Sequence, residues 1–330
     1  MVALAASVIF SAFPNLSSFW KTREVRTEDE ARDRVQSEKP PFSTNVRYQD
    51  VMAVWKQVDS LYIVFDTPFS PSESGELAGL RLEESDWDRI TELITNHGAR
   101  PAVGGLFNEQ YSDLGEKIAG DSGYGQPFFL DVTSGRDSSV QIVDMRAKEE
   151  KCTTSRAQAV LRIPADGASA IESIAFTLQG LGDARAQFPQ DSEKGDAGKP
   201  YFNQKVVSVG GSSEPVTANV TPYSRLNSRC EWRILATYNT SDEKGKKSEI
   251  EDDGKALVTE GLPQNPRQLW VMDPHIRKIV ECNADPEGSE CCRPLVAETA
   301  GPPTHAQALA PSHERAGGKR DVGWKRVSRK

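Results

Sequence analysis

The sequence has few of the residues and motifs on which enzymes and metal proteins commonly rely. Its 330 residues include only four histidines and five cysteines. It lacks a Walker sequence, a Gly-x-Gly-x-x-Gly motif after a strand and a Gly-x-Ser-x-Gly motif, which mark common nucleotide-binding and hydrolase sites. The cysteines are too few for a disulfide-dense scaffold and lack the two close pairs of a zinc ribbon. The sequence therefore predicts a protein without a cofactor, and it names no catalytic residue.

The sequence also has no excess of positive charge and few apolar residues. The formal net charge is -8, and the isoelectric point lies near 5.3. A general nucleic-acid-binding protein needs a basic face to neutralise phosphates, so this function is excluded. The hydrophobic fraction is only 37%, with a mean hydropathy of -0.54, which indicates that part of the chain does not pack into a core.

The N-terminal segment is the most apolar part of the chain. Val2 to Trp20 contain no charged residue, and as a helix they would extend about 30 Å, roughly one hydrocarbon core. Residues 1–20 are therefore predicted to form a membrane anchor or signal helix. Pro14 interrupts the run and no Lys or Arg precedes it, so a packed N-terminal helix of a soluble protein is the alternative.

A polar linker is predicted over residues 21–41, and an ordered domain over residues 42–261. Within this domain one amphipathic helix is expected near residues 85–97. Ser85 and Asp88 have the spacing of a capping box. The helix carries apolar residues on one face and ends at a glycine, and it is expected to cover a sheet; these residues are Trp87, Ile90, Ile94 and Gly98.

From Gln126 the hydrophobic pattern has a period of two residues. The strand-like runs are separated by clusters of Gly, Ser, Asp or Pro, as in consecutive antiparallel strands. In the run from Cys230 to Tyr238, alternate residues are apolar. This pattern predicts a strand with one face buried and the other exposed to solvent. The predicted fold is mainly β, an immunoglobulin-like antiparallel β-sandwich with one short covering helix.

After Gly261 the pattern loses its period, and residues 262–330 are predicted to form an irregular to disordered tail. Its last residues, from Arg315 on, are strongly basic. A zinc site in this tail would use one imidazole and three thiolates; the residues are His275, Cys282, Cys291 and Cys292. Because Cys291 and Cys292 are adjacent, a local disulfide from Cys282 to one of them is the competing interpretation.

The pair Cys152 and Cys230 is the disulfide candidate. Cys152 follows one predicted strand and Cys230 begins another, so an inter-sheet or loop-to-strand bridge is sterically plausible. Such a bond would close a long loop, and it requires an oxidising compartment. Two reduced thiols are the alternative. Catalysis by Cys230 is disfavoured, because the few histidines offer little choice of a base.

The order of these elements resembles that of a group of uncharacterised actinobacterial proteins. The resemblance covers about Phe42 to Gly261 and rests on the "VQIVDMRA" strand, the "PYF" and "KVVSV" pair, and the "CEW" strand with "DDGKALVT". It implies a membrane helix followed by one extracytoplasmic β-rich domain, and it supplies no catalytic residue.

The sequence thus favours a non-enzymatic cell-envelope protein. It would be tethered to the cell membrane through its N-terminal helix, with an extracytoplasmic domain that binds or scaffolds an unknown protein or envelope polymer. The alternative is a soluble cytoplasmic protein whose C-terminal Cys/His segment binds zinc and whose basic tail contacts an anionic partner. Neither hypothesis invokes nucleic-acid binding.

Overall fold

The computed structural model describes most of the chain between Pro40 and Cys292. The described residues are 40–55, 58, 60–81, 83–111, 117–164, 173–178, 184–189, 196–284, 290–292, 296 and 299. The predicted N-terminal helix, most of the linker and the basic tail lie outside them. No helix among the residues so described has the length and hydropathy needed to cross a membrane.

The fold is mainly β, as predicted. Sixteen strands and three α-helices follow one another along the described chain. In chain order they are β1 (Ser43–Tyr48), α1 (Val51–Trp55), β2 (Ser60–Phe65), α2 (Pro71–Gly79), α3 (Glu84–Asn96), β3 (Arg100–Tyr111), β4 (Lys117–Gly125), β5 (Phe128–Thr133), β6 (Val140–Thr154), β7 (Ala159–Pro164), β8 (Ser173–Leu178), β9 (Ala184–Arg185), β10 (Val207–Val209), β11 (Val216–Arg225), β12 (Ser228–Asn239), β13 (Lys246–Ile250), β14 (Leu257–Glu260), β15 (Gln268–Asp273) and β16 (Lys278–Glu281).

The strands form two sheets. The larger, ten-stranded sheet has the order β1-β5-β11-β4-β3-β2-β7-β15-β16, with β8 beside β11. The six-stranded sheet has the order β10-β6-β12-β13, with β14 beside β12 and β9 beside β6. The pairs β8–β11 and β7–β15 are parallel, so the prediction of a purely antiparallel fold is wrong.

The sandwich half consists of the six-stranded sheet and the strands β1, β5, β8 and β11 that face it. Its core contains Trp232, Phe176 and Phe128, all buried. Along β12, buried residues alternate with partly exposed ones, as the sequence period predicted. The rings of Phe176 and Trp232 lie 5.4 Å apart, and the Trp232 indole donates a hydrogen bond of 2.9 Å to Thr259.

The helix-covered half is built on β2, β7, β15 and β16. One face of these strands packs against the three helices, with Phe65 and Trp270 in the core between them. The opposite face packs against Leu262 and the cysteines Cys282 and Cys292. The prediction of a single covering helix is therefore wrong, because α1 and α2 share this face with α3.

The predicted capping box is also misplaced. Helix α3 starts after Glu83, which makes no side-chain cap hydrogen bond, so Ser85 lies inside the helix. The capping box occurs at α2 instead, where Ser70 accepts from the Glu73 backbone and Glu73 accepts from the Ser70 backbone at 2.8 Å. The apolar face of α3 was predicted correctly, since Ile90 and Ile94 are buried in the helix-covered core.

Order does not end at Gly261. Strand β15 pairs with β7 along Gln268 to Val271 and with β16 on its other side, so the prediction of an irregular segment is wrong for residues 268–281. The sequence misled because β15 is buried on both faces and gives no alternating pattern. Gln268 also ties β15 to the loop before α2, accepting from the Phe69 backbone at 2.6 Å.

The two halves meet where β4, β11 and β14 approach one another closely. A Cβ on Gly125 would lie 1.9 Å from the carbonyl oxygen of Pro222, and a Cβ on Gly261 would lie 2.1 Å from that of Arg225. Both positions therefore require glycine.

Candidate functional site

The structure brings Cys152 and Cys230 together as a disulfide with an S–S distance of 2.11 Å. The two residues lie directly opposite each other on β6 and β12. The bond therefore joins neighbouring strands of one sheet, and the expectation of an inter-sheet or loop-to-strand bridge is wrong. Cys230 is fully buried and Cys152 is exposed. Neither sulfur is a thiolate in this form, so neither can act as a nucleophile.

A second disulfide joins Cys282 to Cys292. It packs on the face of the helix-covered half that is opposite the helices. Cys291 is in neither disulfide. Zinc binding through this segment would need Cys282 and Cys292 as thiolates, which the disulfide removes. Within the described ranges, no group of three or more His, Cys, Asp or Glu side chains is placed to hold a metal ion.

A groove lies at the junction of the two halves, and we call it the junction groove. It consists of a wide chamber of about 560 Å³ and a narrow chamber of about 320 Å³. Tyr48, Pro101 and Gln126 line both chambers. The volumes fall within the range of about 300–1,000 Å³ that small-molecule sites occupy.

The wide chamber lies between α1, α3 and the end of β1. Apolar side chains from both helices line it, together with the hydroxyl groups of Thr91 and Thr95. Asp50 is the only charged residue among the described ones that line it, and this carboxylate already accepts a hydrogen bond of 2.7 Å from the Ala53 backbone. The chamber is therefore nearly neutral.

Gln49 contributes a buried amide to the wide chamber. Its side-chain nitrogen donates to the side-chain Oδ1 of Asn219 at 2.8 Å, and only 3% of the residue is exposed. Its Oε1 accepts no hydrogen bond from any described residue. A buried polar atom left unpaired is unusual, since its desolvation costs about 1–3 kcal/mol. The oxygen has virtually no exposed surface, so it belongs to the packing behind the chamber wall.

Tyr48 separates the two chambers. Desolvation raises the pKa of its hydroxyl group, the nearby Asp252 carboxylate adds to this effect, and a hydrogen bond from the Val258 backbone opposes it. The phenol is consequently neutral at physiological pH, and it can both donate and accept a hydrogen bond.

Glu260 forms the floor of the narrow chamber and links three parts of the chain. Its Oε1 accepts hydrogen bonds from the Ser155 hydroxyl at 2.8 Å, from the Ala157 backbone at 3.2 Å and from the Arg156 backbone. Its Oε2 forms an ion pair with Arg100 at 2.9 Å, although the alignment is not that of a hydrogen bond. Arg229 lies 3.9 Å from the same oxygen.

The two arginines of the narrow chamber, Arg100 and Arg229, are shared among several carboxylates, and Lys255 is a third cation at its edge. Arg100 also contacts Asp66 at 2.5 Å, and Arg229 donates to Glu231 at 2.7 Å. Together with Glu260, three carboxylates surround two guanidinium groups. This end of the groove is therefore not an open anion-binding site.

Sequence reasoning missed the junction groove. Gln49, Gln126 and Glu260 are far apart in the chain and carry no motif. One signal was available, because Glu260 ends an otherwise apolar strand, and a carboxylate in a buried strand needs partners. The partners themselves come from β3, β12 and the β6–β7 connection, which no local pattern brings together.

Comparisons of the chain with protein-family models, curated proteins and solved structures found no match.

Proposed function

We propose that this protein is a non-enzymatic binding or scaffolding protein of the cell envelope, with an extracytoplasmic domain tethered to the membrane through residues 1–20. The observation that carries the binding role is the junction groove, whose two adjoining chambers combine apolar walls with a few polar side chains such as those of Thr91 and Thr95. Pockets with apolar walls and a few convergent polar groups are the usual form of a ligand site.

The extracytoplasmic location is supported by the two disulfides, because such bonds form and persist mainly in oxidising compartments. The tether rests on the uncharged run from Val2 to Trp20 and on the resemblance to membrane-anchored actinobacterial proteins. An immunoglobulin-like topology of the sandwich half belongs to the same proposal. It is supported by two facing sheets around one core that contains Trp232.

The charged residues of the groove favour binding over catalysis. Arg100, Arg229 and Glu260 hold one another and the surrounding backbone, and a general acid or base needs a group that can exchange a proton with a substrate. These residues therefore form a structural network that supports the walls of the groove.

Location is tested by fractionating cells that produce the full chain and by mapping its thiols with and without reductant. We expect the protein in the membrane fraction, with Cys152 linked to Cys230 and Cys282 linked to Cys292. Recovery in the soluble cytoplasmic fraction with all thiols reactive would overturn this proposal and favour the zinc-binding alternative.

Binding is tested by co-sedimentation of the full chain, in mild detergent, with envelope polymers purified from the producing cells. Thr95→Trp fills the wide chamber, whereas Asn96→Trp places the same bulk on the next exposed residue of α3, outside the groove. We expect Thr95→Trp to weaken binding roughly tenfold or more, equivalent to about 1.4 kcal/mol, and Asn96→Trp to bind like the unmodified protein. Equal binding by both variants would remove the groove from the proposal.

A further inference from the structure

We propose that the wide chamber of the junction groove binds an uncharged saccharide unit. This inference rests on the proposed binding function and adds the chemical class of the ligand. It is drawn from the charge, the hydrogen-bonding groups and the apolar surface of the chamber.

The electrostatics of the chamber exclude a charged ligand as the preferred occupant. Among the residues that the structure describes, no lysine or arginine lines the wide chamber, and the one carboxylate there, on Asp50, caps α1. The chain as a whole carries a net charge of -8, which repels anions at long range. A ligand without charge loses no ionic hydration on entering such a site.

The hydrogen-bonding groups of the chamber match hydroxyl groups. The hydroxyls of Thr91 and Thr95 can each donate and accept. The Thr91 hydroxyl makes a weak hydrogen bond to the Met52 sulfur, at 3.9 Å. A ligand hydroxyl also donates and accepts, so it fits this set better than a group that can only accept.

The apolar walls of the chamber match the C–H faces of a sugar ring. Val51, Met52, Ile94 and Pro101 present apolar surface, and Tyr48, which also lines the chamber, is 37% exposed as a residue. A pyranose ring has apolar C–H faces and hydroxyl groups around its edge. The alternation of apolar walls and hydroxyl groups in the chamber is complementary to that distribution, and a volume of about 560 Å³ accommodates a ligand of this size.

The test is isothermal titration of the full chain, in a non-glycosidic detergent, with six probes. Maltotriose, cellotriose and tri-N-acetylchitotriose are neutral saccharides. Trigalacturonate adds negative charge, trialanine offers peptide groups, and decanoate offers an acyl chain. We expect saturable binding of at least one neutral saccharide, and at least roughly tenfold weaker binding of the other three probes.

Three variants locate the binding and identify the interaction. Thr95→Trp should abolish saccharide binding, and Asn96→Trp should leave it unchanged. Thr95→Val keeps the shape and removes the hydroxyl, so it should weaken a saccharide roughly threefold to tenfold, as expected for one lost hydrogen bond. A ligand held only by apolar contact would instead bind Thr95→Val as well or better.

The outcomes separate the two proposals. Binding of decanoate or trialanine that Thr95→Trp abolishes, without binding of any neutral saccharide, would overturn the saccharide assignment and keep the binding function. Envelope co-sedimentation that depends on the groove, with no response to any saccharide, would have the same meaning. If Thr95→Trp changes neither titration nor co-sedimentation, both proposals are wrong.

Discussion

The sandwich half and the helix-covered half bury their cores in different ways. In the sandwich half, two sheets enclose one core, and a strand such as β12 buries alternate residues only. In the helix-covered half, the central strands bury both faces. Ile63 and Phe65 of β2 face the helices, whereas Tyr62 and Val64 pack on the opposite side.

Both halves combine short-range and long-range strand pairing. Strands β12 and β13, like β15 and β16, are neighbours in the sequence, whereas β6 pairs with β12 and β7 pairs with β15 across long stretches of chain. The halves differ in the local signal of burial: β12 buries alternate residues along its own sequence, whereas the burial of β7 depends on the placement of the C-terminal segment that carries β15.

The two disulfides should give the largest contrast between the halves. Replacing Cys152 and Cys230 by alanine opens a loop with a sequence separation of 78 residues, whereas replacing Cys282 and Cys292 opens one of 10 residues. Loop-closure entropy predicts losses of about 4.5 and about 2.7 kcal/mol, as upper values. Urea unfolding monitored by tryptophan fluorescence measures both, with Cys291→Ala as the control that keeps both bonds. A larger loss for the shorter loop would reverse the comparison.

Replacing Glu260 should show how much the contacts at the junction of the two halves contribute to stability. Glu260→Ala leaves Arg100 with one carboxylate fewer and leaves backbone donors of the β6–β7 connection unsatisfied, so we expect a loss of about 3 kcal/mol. Glu249→Ala is the matched control. Glu249 is partly exposed and contacts Lys148 and Arg233 on the outer face of the sandwich half, where an ion pair contributes less than about 1 kcal/mol. Equal losses for the two variants would show that the junction network adds no stability.

The two buried tryptophans offer a matched pair, one in each core. Trp232 donates to Thr259, whereas the indole nitrogen of Trp270 has no hydrogen-bond partner in the described part of the chain. Replacement by phenylalanine removes similar volume from both cores. Trp232→Phe should therefore cost about 1 kcal/mol more than Trp270→Phe, because it also leaves the Thr259 hydroxyl unpaired. Chemical denaturation of the two variants, side by side, gives the difference, and a greater cost at Trp270 would contradict this account.

Acid should weaken the sandwich half through Asp131. Hydrogen bonds from Arg47 and then Thr217 lower the pKa of this carboxyl from 3.8 to about 2. A lowered pKa in the folded state stabilises the fold above the ordinary pKa, and this stability is lost as the pH falls from about 4 towards 2. Because Arg47 is half exposed, we expect about 1 kcal/mol or less. The pH dependence of unfolding should be shallower in Asp131→Asn over this window, and an unchanged slope would argue against the effect.

The sequence predicted the sandwich half better than the rest of the fold. The alternation of Cys230, Trp232, Ile234, Ala236 and Tyr238 is a local signal, and all five side chains are buried as expected. The Cys152–Cys230 pair could be predicted from the same kind of local signal, because both cysteines lie at the ends of recognisable strands. Strand β15 gave no such signal, since its apolar run is short and lacks a period.

The junction groove could not be predicted, because its chemistry depends on tertiary placement. In the sequence, Gln49 is one polar residue after a strand. Its amide is buried only because Asn219 and α3 approach it, and Asn219 accepts a hydrogen bond from the amide nitrogen. Likewise, the capping box was assigned to Ser85 on spacing alone. The helix began two residues earlier than that spacing implied, and side-chain caps compete with tertiary packing when a helix start is selected.

The position of β15 between β7 and β16 also affects the timing of folding. Ribosomes release a chain from its N-terminus onwards. Strand β7 ends at Pro164, yet its neighbour β15 begins only at Gln268, so about a hundred residues must emerge before the pairing can form. Such late, long-range pairing slows folding. The sheet of the helix-covered half thus stays incomplete during synthesis until the segment that carries β15 has emerged.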